Sequence, residues 1–442
     1  MPLSFKRKLA AGAGNLLLVL LSAGFALLVG EAFLRYSYYQ TLMPSDGDRS
    51  DFVLEQHPTR GFALMPNRNV RVYNLNWSLA VTTNSKGLRD GEIRYERDPG
   101  VARILVLGDS FMDGYQVNLS EGLPALLEGN RQGKKTETVN LGVRGYGTLQ
   151  ELLYLKEEGL KYKPDIVLLA FYPLNDFYDN HRELSRLMWG GDYWQHTARP
   201  YGDIDDSGVL CISPPDAAAA ALSLEAQREK QKQYTDWLAS RVWYKRTAIF
   251  QTYERAQKTR GMHPTVYDYN PNVHLGAILK SYDPGLSPDA GISADTYARL
   301  WSEAFDVTEL AIAEIARVCK EAGIRLVVFA VPAKEQVDTD TYLTLVKLKY
   351  PALEFDLEKP NRWLRDVTKR HGIEFCDLLP GFRKQHNANC GPLYHEFDSH
   401  WNAAGHRLAS TILSEFLARN HVTVEANSVS AFYVPDVITT GY

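Results

Sequence analysis

Excess charge of either sign is missing from this chain: 49 Lys and Arg stand against 53 Asp and Glu, a formal net of -4 at pH 7. So even a balance leaves no electrostatic footprint for gripping a phosphate backbone, and nucleic acid is not an expected partner. Cysteine is scarce too. The four present, Cys211, Cys319, Cys376 and Cys390, form neither a CxxC pair nor a Cys/His metal spacing. With 442 residues, 45% of them hydrophobic, the chain can bury one large core or two smaller ones and has no need of disulfide staples. Cys319 lies on a helical apolar stripe and reads as core, whereas Cys376 and Cys390 flank a loop and can pair in an oxidising compartment. Internal repeats and low-complexity tracts are absent.

Long uncharged runs are also absent, with one exception: residues 9–30 read "LAAGAGNLLLVLLSAGFALLVG". At about 1.5 Å per residue a helix of that length spans a bilayer. Lys6, Arg7 and Lys8 precede it, while Glu31 and Arg35 roughly cancel behind it. The charge bias keeps the N-terminus in the cytoplasm. The expectation is a single-pass protein of the inner (cytoplasmic) membrane, its remaining chain periplasmic or extracellular. A cleaved signal peptide is the rival reading. The length of the apolar core and the lack of a small-x-small cleavage site favour an uncleaved anchor.

Past this anchor, taken as residues 1–35, residues 36–100 hold polar turns and short alternating runs such as "NVRVYNLNWSLAVTTNS", a β-rich lead-in. From 102 onward, buried strands alternate with amphipathic helices: "ARILVLG", a helix near 121–129, "TETVNLG", a helix over 148–159, then "DIVLLAFY". The alternation resumes with a helix over 294–322, capped by Ser293 and ended by Gly323, then "IRLVVFAVP", "IEFCDL" and a helix after Asn402. That pattern predicts an α/β domain over 101–420: a three-layer, flavodoxin-like parallel sheet of about five strands flanked by helices. Between its halves, about 178–292 lacks a strong strand signal and reads as a helical insertion. Trp189, Tyr193, Trp194, Trp237, Trp243 and Tyr244 make it aromatic-rich. Such rings suit a lid or a platform for sugars, but mostly they pack an insertion onto its sheet. Residues 421–442 are left as a tail.

The chemistry concentrates where strands end. "RILVLGDSFMDGYQV" places Gly108-Asp109-Ser110 beyond the carboxyl end of the first strand, the edge at which open α/β sheets bind ligands. A serine hydroxyl needs a base and the base needs an orienting group. "EFDSHWNAAGH", residues 396–406, supplies both: Asp398 can accept the Nδ1 proton of His400 and turn Nε2 toward Ser110. Two further segments offer donors for a developing oxyanion, the backbone N–H of Gly145 in "VNLGVRGYGTLQ" and the side-chain amide of Asn175 in "FYPLNDFYDN".

Together the four segments resemble the SGNH, or GDSL, hydrolase family, whose blocks run Gly-Asp-Ser, a glycine, Asn-Asp, then Asp and His near the domain end. The resemblance covers about 102–177 and 294–418. It implies Ser110 as nucleophile, His400 as base and Asp398 as its partner, with Ser110 N–H, Gly145 N–H and Asn175 lining the oxyanion hole. Two departures stand out: Pro173 and Leu174 where the family usually has a glycine before the Asn, and DxH in place of the commoner DxxH. The "NSKGLRD" lead-in and the anchor are similar to membrane-anchored bacterial members, and "DSHW" to the Asp-x-His-Trp segment of polysaccharide O-acetyltransferases of this fold.

Three function classes follow. The leading one is a serine esterase removing acyl groups, acetyl foremost, from an extracytoplasmic glycan or glycolipid. The second is an O-acetyltransferase that passes the acyl group to a sugar hydroxyl. The third is a non-catalytic assembly or binding protein, against which intact Ser110, Asn175 and His400 argue. A metal hydrolase built on Asp398, His395, His400 and His406 is a lesser rival, and no metal or cofactor is called for.

Overall fold

The computed structural model describes residues 3–42, 53–73, 78–131, 134–189, 198–216, 276–280, 293–339, 354–395 and 398–419, with scattered positions between 218 and 253. Helix α1 (Leu3–Leu42) is followed by two antiparallel hairpins, β1 (Leu54–His57) with β2 (Gly61–Leu64) and β3 (Asn69–Tyr73) with β4 (Ser78–Thr82). Within α1, Gly14–Leu34 is 21 residues of mean hydropathy 2.3, none of it buried, and is long and apolar enough to cross a membrane. The helix lies against the β3–β4 hairpin.

The α/β unit then runs β5 (Ala102–Gly108), α2 (Ser110–Asp113), α3 (Leu123–Leu126), β6 (Gly129–Arg131), β7 (Lys134–Gly142), α4 (Thr148–Glu157) and β8 (Ile166–Phe171). After α5 (Asp176–Asn180), α6 (Arg182–Trp189) and the hairpin β9 (Tyr201–Ile204) with β10 (Leu210–Ser213), it resumes at α7 (Ala294–Glu321). The last elements are β11 (Arg325–Ala330), α8 (Lys334–Val337), α9 (Lys359–Arg370), β12 (Glu374–Asp377), α10 (Leu379–Asn387) and α11 (Ala403–Arg419).

Five apolar runs form one parallel sheet in the order β12-β11-β8-β5-β7, with the short antiparallel β6 added at the β7 edge. Counted along the chain the parallel order is 2-1-3-4-5, the flavodoxin-like arrangement. Its direction of winding reverses between β5 and β8, which opens a crevice at their carboxyl ends. Strand β5 is buried from Ile104 through Gly108, as a central strand covered by helices on both faces must be. Helix α7 starts where Ser293 accepts Thr296 N at 3.2 Å and presents Leu300, Ala304, Val307, Ala311, Ile315 and Val318 to the core.

Some expectations need correction. The helix read near 121–129 shrinks to α3, because Gly129, at a φ of 127°, turns the chain into β6. The insertion is not without strands: β9 and β10 pair around a turn in which Asp205 Oδ1 accepts Ser207 N and Val209 N, both at 2.9 Å, and Gly208 takes a φ of 80°. Tyr193, Trp194, Trp237, Trp243, Tyr244, most of the expected helical insertion beyond residue 216 and the tail 421–442 lie outside the described residues, as does the Trp189 side chain. All four cysteines are free thiols: Cys376 is buried in β12, while Cys390 is exposed beyond α10.

Two glycines set the distance between sheet and nucleophile. Gly108 and Gly142 are register partners on β5 and β7. A Cβ on Gly142 would stand 2.4 Å from Asp113 N and 2.5 Å from Met112 C, and one on Gly108 would stand 2.4 Å from Met112 Cγ. Helix α2 therefore rests directly on the sheet edge. Because backbone cannot yield as a flexible side chain can, Gly142→Ala should cost about 1–3 kcal/mol of stability. Urea unfolding should show this loss, and a variant as stable as the parent would mean α2 is free to shift.

Candidate active site

Asp109 begins the site by capping α2. Its Oδ1 accepts Phe111 N at 2.9 Å, and its Oδ2 accepts Asn175 Nδ2 at 2.7 Å. One buried carboxylate thus fixes both the turn that carries Ser110 and the amide at the end of β8. Burial pushes the Asp109 pKa up, against these hydrogen bonds and the nearby His400. Asn175 is itself buried, and its Oδ1 has no hydrogen-bond partner among the described residues.

Ser110 Oγ stands 2.6 Å from His400 Nε2. A carboxylate can only accept, so His400 Nδ1 donates to Asp398 Oδ1, leaving Nε2 to take the serine proton. The same Asp398 oxygen accepts His400 N at 3.0 Å. Asp398–His400 is a bend closed by the aspartate rather than an extended run, and this is how a DxH spacing delivers a carboxylate to the imidazole. The His400 ring packs 4.8 Å from that of Phe111 and 5.9 Å from that of Tyr115, with Trp401 fully buried behind Phe111.

Gly145 follows β7 in a turn at a φ of 78°, where glycine is the least strained residue. The turn is tied to α2 by a buried ion pair, Arg144 Nε to Asp113 Oδ2 at 2.6 Å, and the Arg144 guanidinium lies 4.1 Å from the centre of the Tyr115 ring. The lead-in adds a second clamp. Buried Arg89 donates to Asp113 O at 2.7 Å and to Val117 O at 2.6 Å, while Asp90 Oδ2 accepts Asn140 N at 2.9 Å. Ser110, Gly145 and Asn175 therefore end three adjacent strands at one sheet edge, joined through Asp109 and Asp113. Pro173 and Leu174 are buried, Leu174 in the hydrophobic core.

The other histidines fall elsewhere. His406 is buried, accepts Leu123 N on Nδ1 at 3.2 Å and is pushed by burial to a pKa of about 3, so it stays neutral. His395 sits beside the site, its N–H donating to His400 O at 3.0 Å. Among the described residues no group of His, Cys, Asp and Glu is disposed to hold a metal ion. Reading the sequence singled out Ser110, Gly145, Asn175, Asp398 and His400. It missed Asp109, Asp113, Arg144 and Arg89 as the groups holding them; "GDSFMD" and "GLRD" carry the charges, but their partners lie on other strands.

A serine–imidazole–carboxylate line at the switch point of a flavodoxin-like sheet defines the class: a fold and site suited to acyl transfer through serine. Residues 297–439 match the family model described as SGNH hydrolase-like domain, acetyltransferase AlgX. The matched stretch contains Asp398 and His400 and leaves Ser110, Gly145 and Asn175 outside it. No curated protein matches the chain. Among solved structures it is similar to an acetyl xylan esterase, AlAXEase, at 11% identity, covering 71% of this chain and 99% of that one with a TM-score of 0.34. An acetyl-xylooligosaccharide esterase from Geobacillus Stearmophilus is 12% identical, covering 71% and 93% at a TM-score of 0.33. A lipase/acylhydrolase from Enterococcus faecalis is 11% identical, covering 72% and 96% at 0.31.

The protonation state of His400 sets the expected pH profile. Burial pulls its pKa down, but the Asp398 charge and hydrogen bond, with Asp109 and Asp113 behind them, raise it above the ordinary 6.5. A histidine base works only when neutral, so with His400 in that role ester turnover should fall as pH drops through an apparent pKa above 6.5. Asp398→Asn removes the negative charge that favours imidazolium. Its acidic limb should move to lower pH while the plateau falls roughly ten- to a thousandfold. A limb that stays where it was would show that Asp398 does not control His400. Asn175→Ala should lower kcat by roughly 10²–10³, the scale for loss of one preorganised oxyanion donor, with the variant folded by circular dichroism.

Proposed function

We propose that this protein is a serine-dependent ester hydrolase that works through an acyl-Ser110 intermediate on an acylated, extracytoplasmic glycan or glycolipid. The observation carrying this reading is the 2.6 Å approach of Ser110 Oγ to His400 Nε2 with Asp398 on the opposite ring nitrogen. His400 takes the serine proton as Oγ attacks the ester carbonyl. The oxyanion develops toward the N–H groups of Ser110 and Gly145 and the Asn175 amide. Proton return from His400 releases the alcohol. A water then enters, loses its proton to His400 and cleaves the acyl-serine bond.

A second reading has one observation in its favour, the match of residues 297–439 to an acetyltransferase domain. There a sugar hydroxyl, not water, takes the acyl group, and the first half-reaction is unchanged. The N-terminal span supports an exported location, with the basic residues 6–8 holding the N-terminus inside.

Intact-protein mass spectrometry after brief exposure to p-nitrophenyl acetate should find one acetyl adduct on Ser110 in the parent and none in Ser110→Ala. His400→Ala should lose nearly all turnover. A folded His400→Ala enzyme with parental kcat/KM would remove His400 as the base. Reporter fusions after residue 42 should be active outside the cytoplasm; activity confined to the cytoplasm would overturn the topology.

A further inference from the structure

Beside the His400 edge of the site opens a groove of about 490 Å³, lined by Gln116, Val117, Glu121, His395, Asn402 and Arg407, with Leu79 of the β3–β4 hairpin as a further apolar member. Most of its polar side chains are already engaged or solvated. Asn402 Oδ1 accepts Ala404 N at 2.8 Å and Gly405 N at 3.2 Å, and its Nδ2 donates to Pro392 O at 2.8 Å. Glu121 accepts Asn118 N at 3.1 Å and Asn118 Nδ2 at 2.8 Å. Arg407 is exposed. Gln116 differs: it is 2% exposed, and among the described residues neither its Oε1 nor its Nε2 has a hydrogen-bond partner. A buried primary amide left unmet on both atoms is costly, and native interiors rarely keep one unless something from outside completes it.

We propose that this groove is the subsite for an uncharged carbohydrate chain, and that Gln116 reads its hydroxyls. The inference rests on the acyl-Ser110 reading and names the substrate class for that site. A carboxamide presents one acceptor and one donor side by side. A sugar hydroxyl both donates and accepts, and a pair on adjacent carbons can meet Oε1 and Nε2 together. A phosphate, sulfate or carboxylate only accepts; it would satisfy Nε2 and set its charge against Oε1. Among the described residues the wall carries one acid and one base, Glu121 and Arg407, so these offer a polyanion no net attraction. Val117 and Leu79 supply apolar surface for the C–H face of a sugar ring.

The groove also lies on the side where the chemistry needs a hydroxyl. Gln116 follows Tyr115, whose ring is 5.9 Å from that of His400, and His395 is joined to His400 through the backbone. A chain lying there brings a hydroxyl toward Nε2. In the forward half-reaction that oxygen is the leaving group and receives the proton from His400 as its bond to the acyl carbon breaks. In the reverse sense it gives its proton to Nε2, bonds to the acyl carbon, and Ser110 Oγ leaves and is reprotonated. The same subsite serves hydrolysis and transfer.

The test uses the full chain in detergent. Ser110→Ala, which cannot turn over, is titrated by calorimetry with neutral xylo- and cello-oligosaccharides and with oligogalacturonates, each of four to six sugar units. At least one neutral series should bind, the uronates should bind more weakly, and adding Gln116→Leu should weaken the neutral series tenfold or more. The Leu side chain removes an unmet amide at similar volume, so its Tm without sugar should equal or exceed the parent's. Failure of every neutral series to bind, stronger binding of the uronates, or equal binding by the Gln116→Leu form overturns the proposal. A sharply lowered Tm also does so, because Gln116 would then serve the fold through internal water. The acyl-serine reading fails separately, on the absence of an acetyl-Ser110 burst in the parent protein.

Discussion

The site depends on how closely helix α2 can approach the sheet. Gly108 and Gly142 lie side by side in register, and neither tolerates a Cβ beneath Met112 and Asp113. This contact puts Ser110 at the carboxyl ends of β5 and β7 with its helix already turned, so that a four-residue helix, far too short to persist alone, is held by what it touches. The polar ties follow from that proximity. Asp109 reaches across to Asn175, Asp113 to Arg144, and Arg89 from the lead-in closes over the end of α2.

Buried ion pairs are weak evidence for stability, since desolvation offsets much of their attraction. Arg144 and Asp113 are better understood as setting geometry. Both are removed from solvent, and the pair fixes the turn that carries Gly145 relative to the helix that carries Ser110. The proposed oxyanion hole, built from backbone N–H groups beyond the ends of two separate strands, would need such a tie, because its worth depends on donors that do not reorganise during the reaction.

Much of this was legible in the sequence, and the reason is local. The five parallel strands are apolar runs flanked by turn residues, and Ser110, Gly145 and Asn175 follow three of them directly, so placing a strand places its site residue. Asp398 and His400 were legible as a pair because a single residue, Ser399, separates them along the chain. Their geometry was not: an extended segment would also bring positions i and i+2 to one side, but here a bend closed by Asp398 does so. The groups that hold the site were illegible for the opposite reason. Arg89 to Asp113 or Asp109 to Asn175 is a contact across strands, and no local pattern distinguishes such an arginine or aspartate from a surface charge. The β9–β10 hairpin escaped because its strands are four residues each and carry little alternation.

Three acids lie close together beneath Ser110 and Asn175. Asp109, Asp176 and Glu151 are all buried, and burial raises all three pKa values; the charge of Asp109 adds to this at Asp176, and the charges of Asp176 and Asp109 add to it at Glu151. Three carboxylates under a developing negative charge would work against it. Their hydrogen bonds decide how the protons divide. Asp109 accepts Phe111 N and Asn175 Nδ2, and Asp176 accepts Tyr172 N at 2.6 Å and Thr148 Oγ1 at 3.2 Å, whereas neither oxygen of Glu151 has a partner. Glu151 is therefore the one of the three whose charged form no hydrogen bond favours. Asp109 is directed onto the Asn175 amide and the first turn of α2, where it orients donors. In the proposed reaction a buried acid beneath the site thus acts through the groups that it orients, and the oxyanion would meet amide N–H groups whose geometry that acid has fixed.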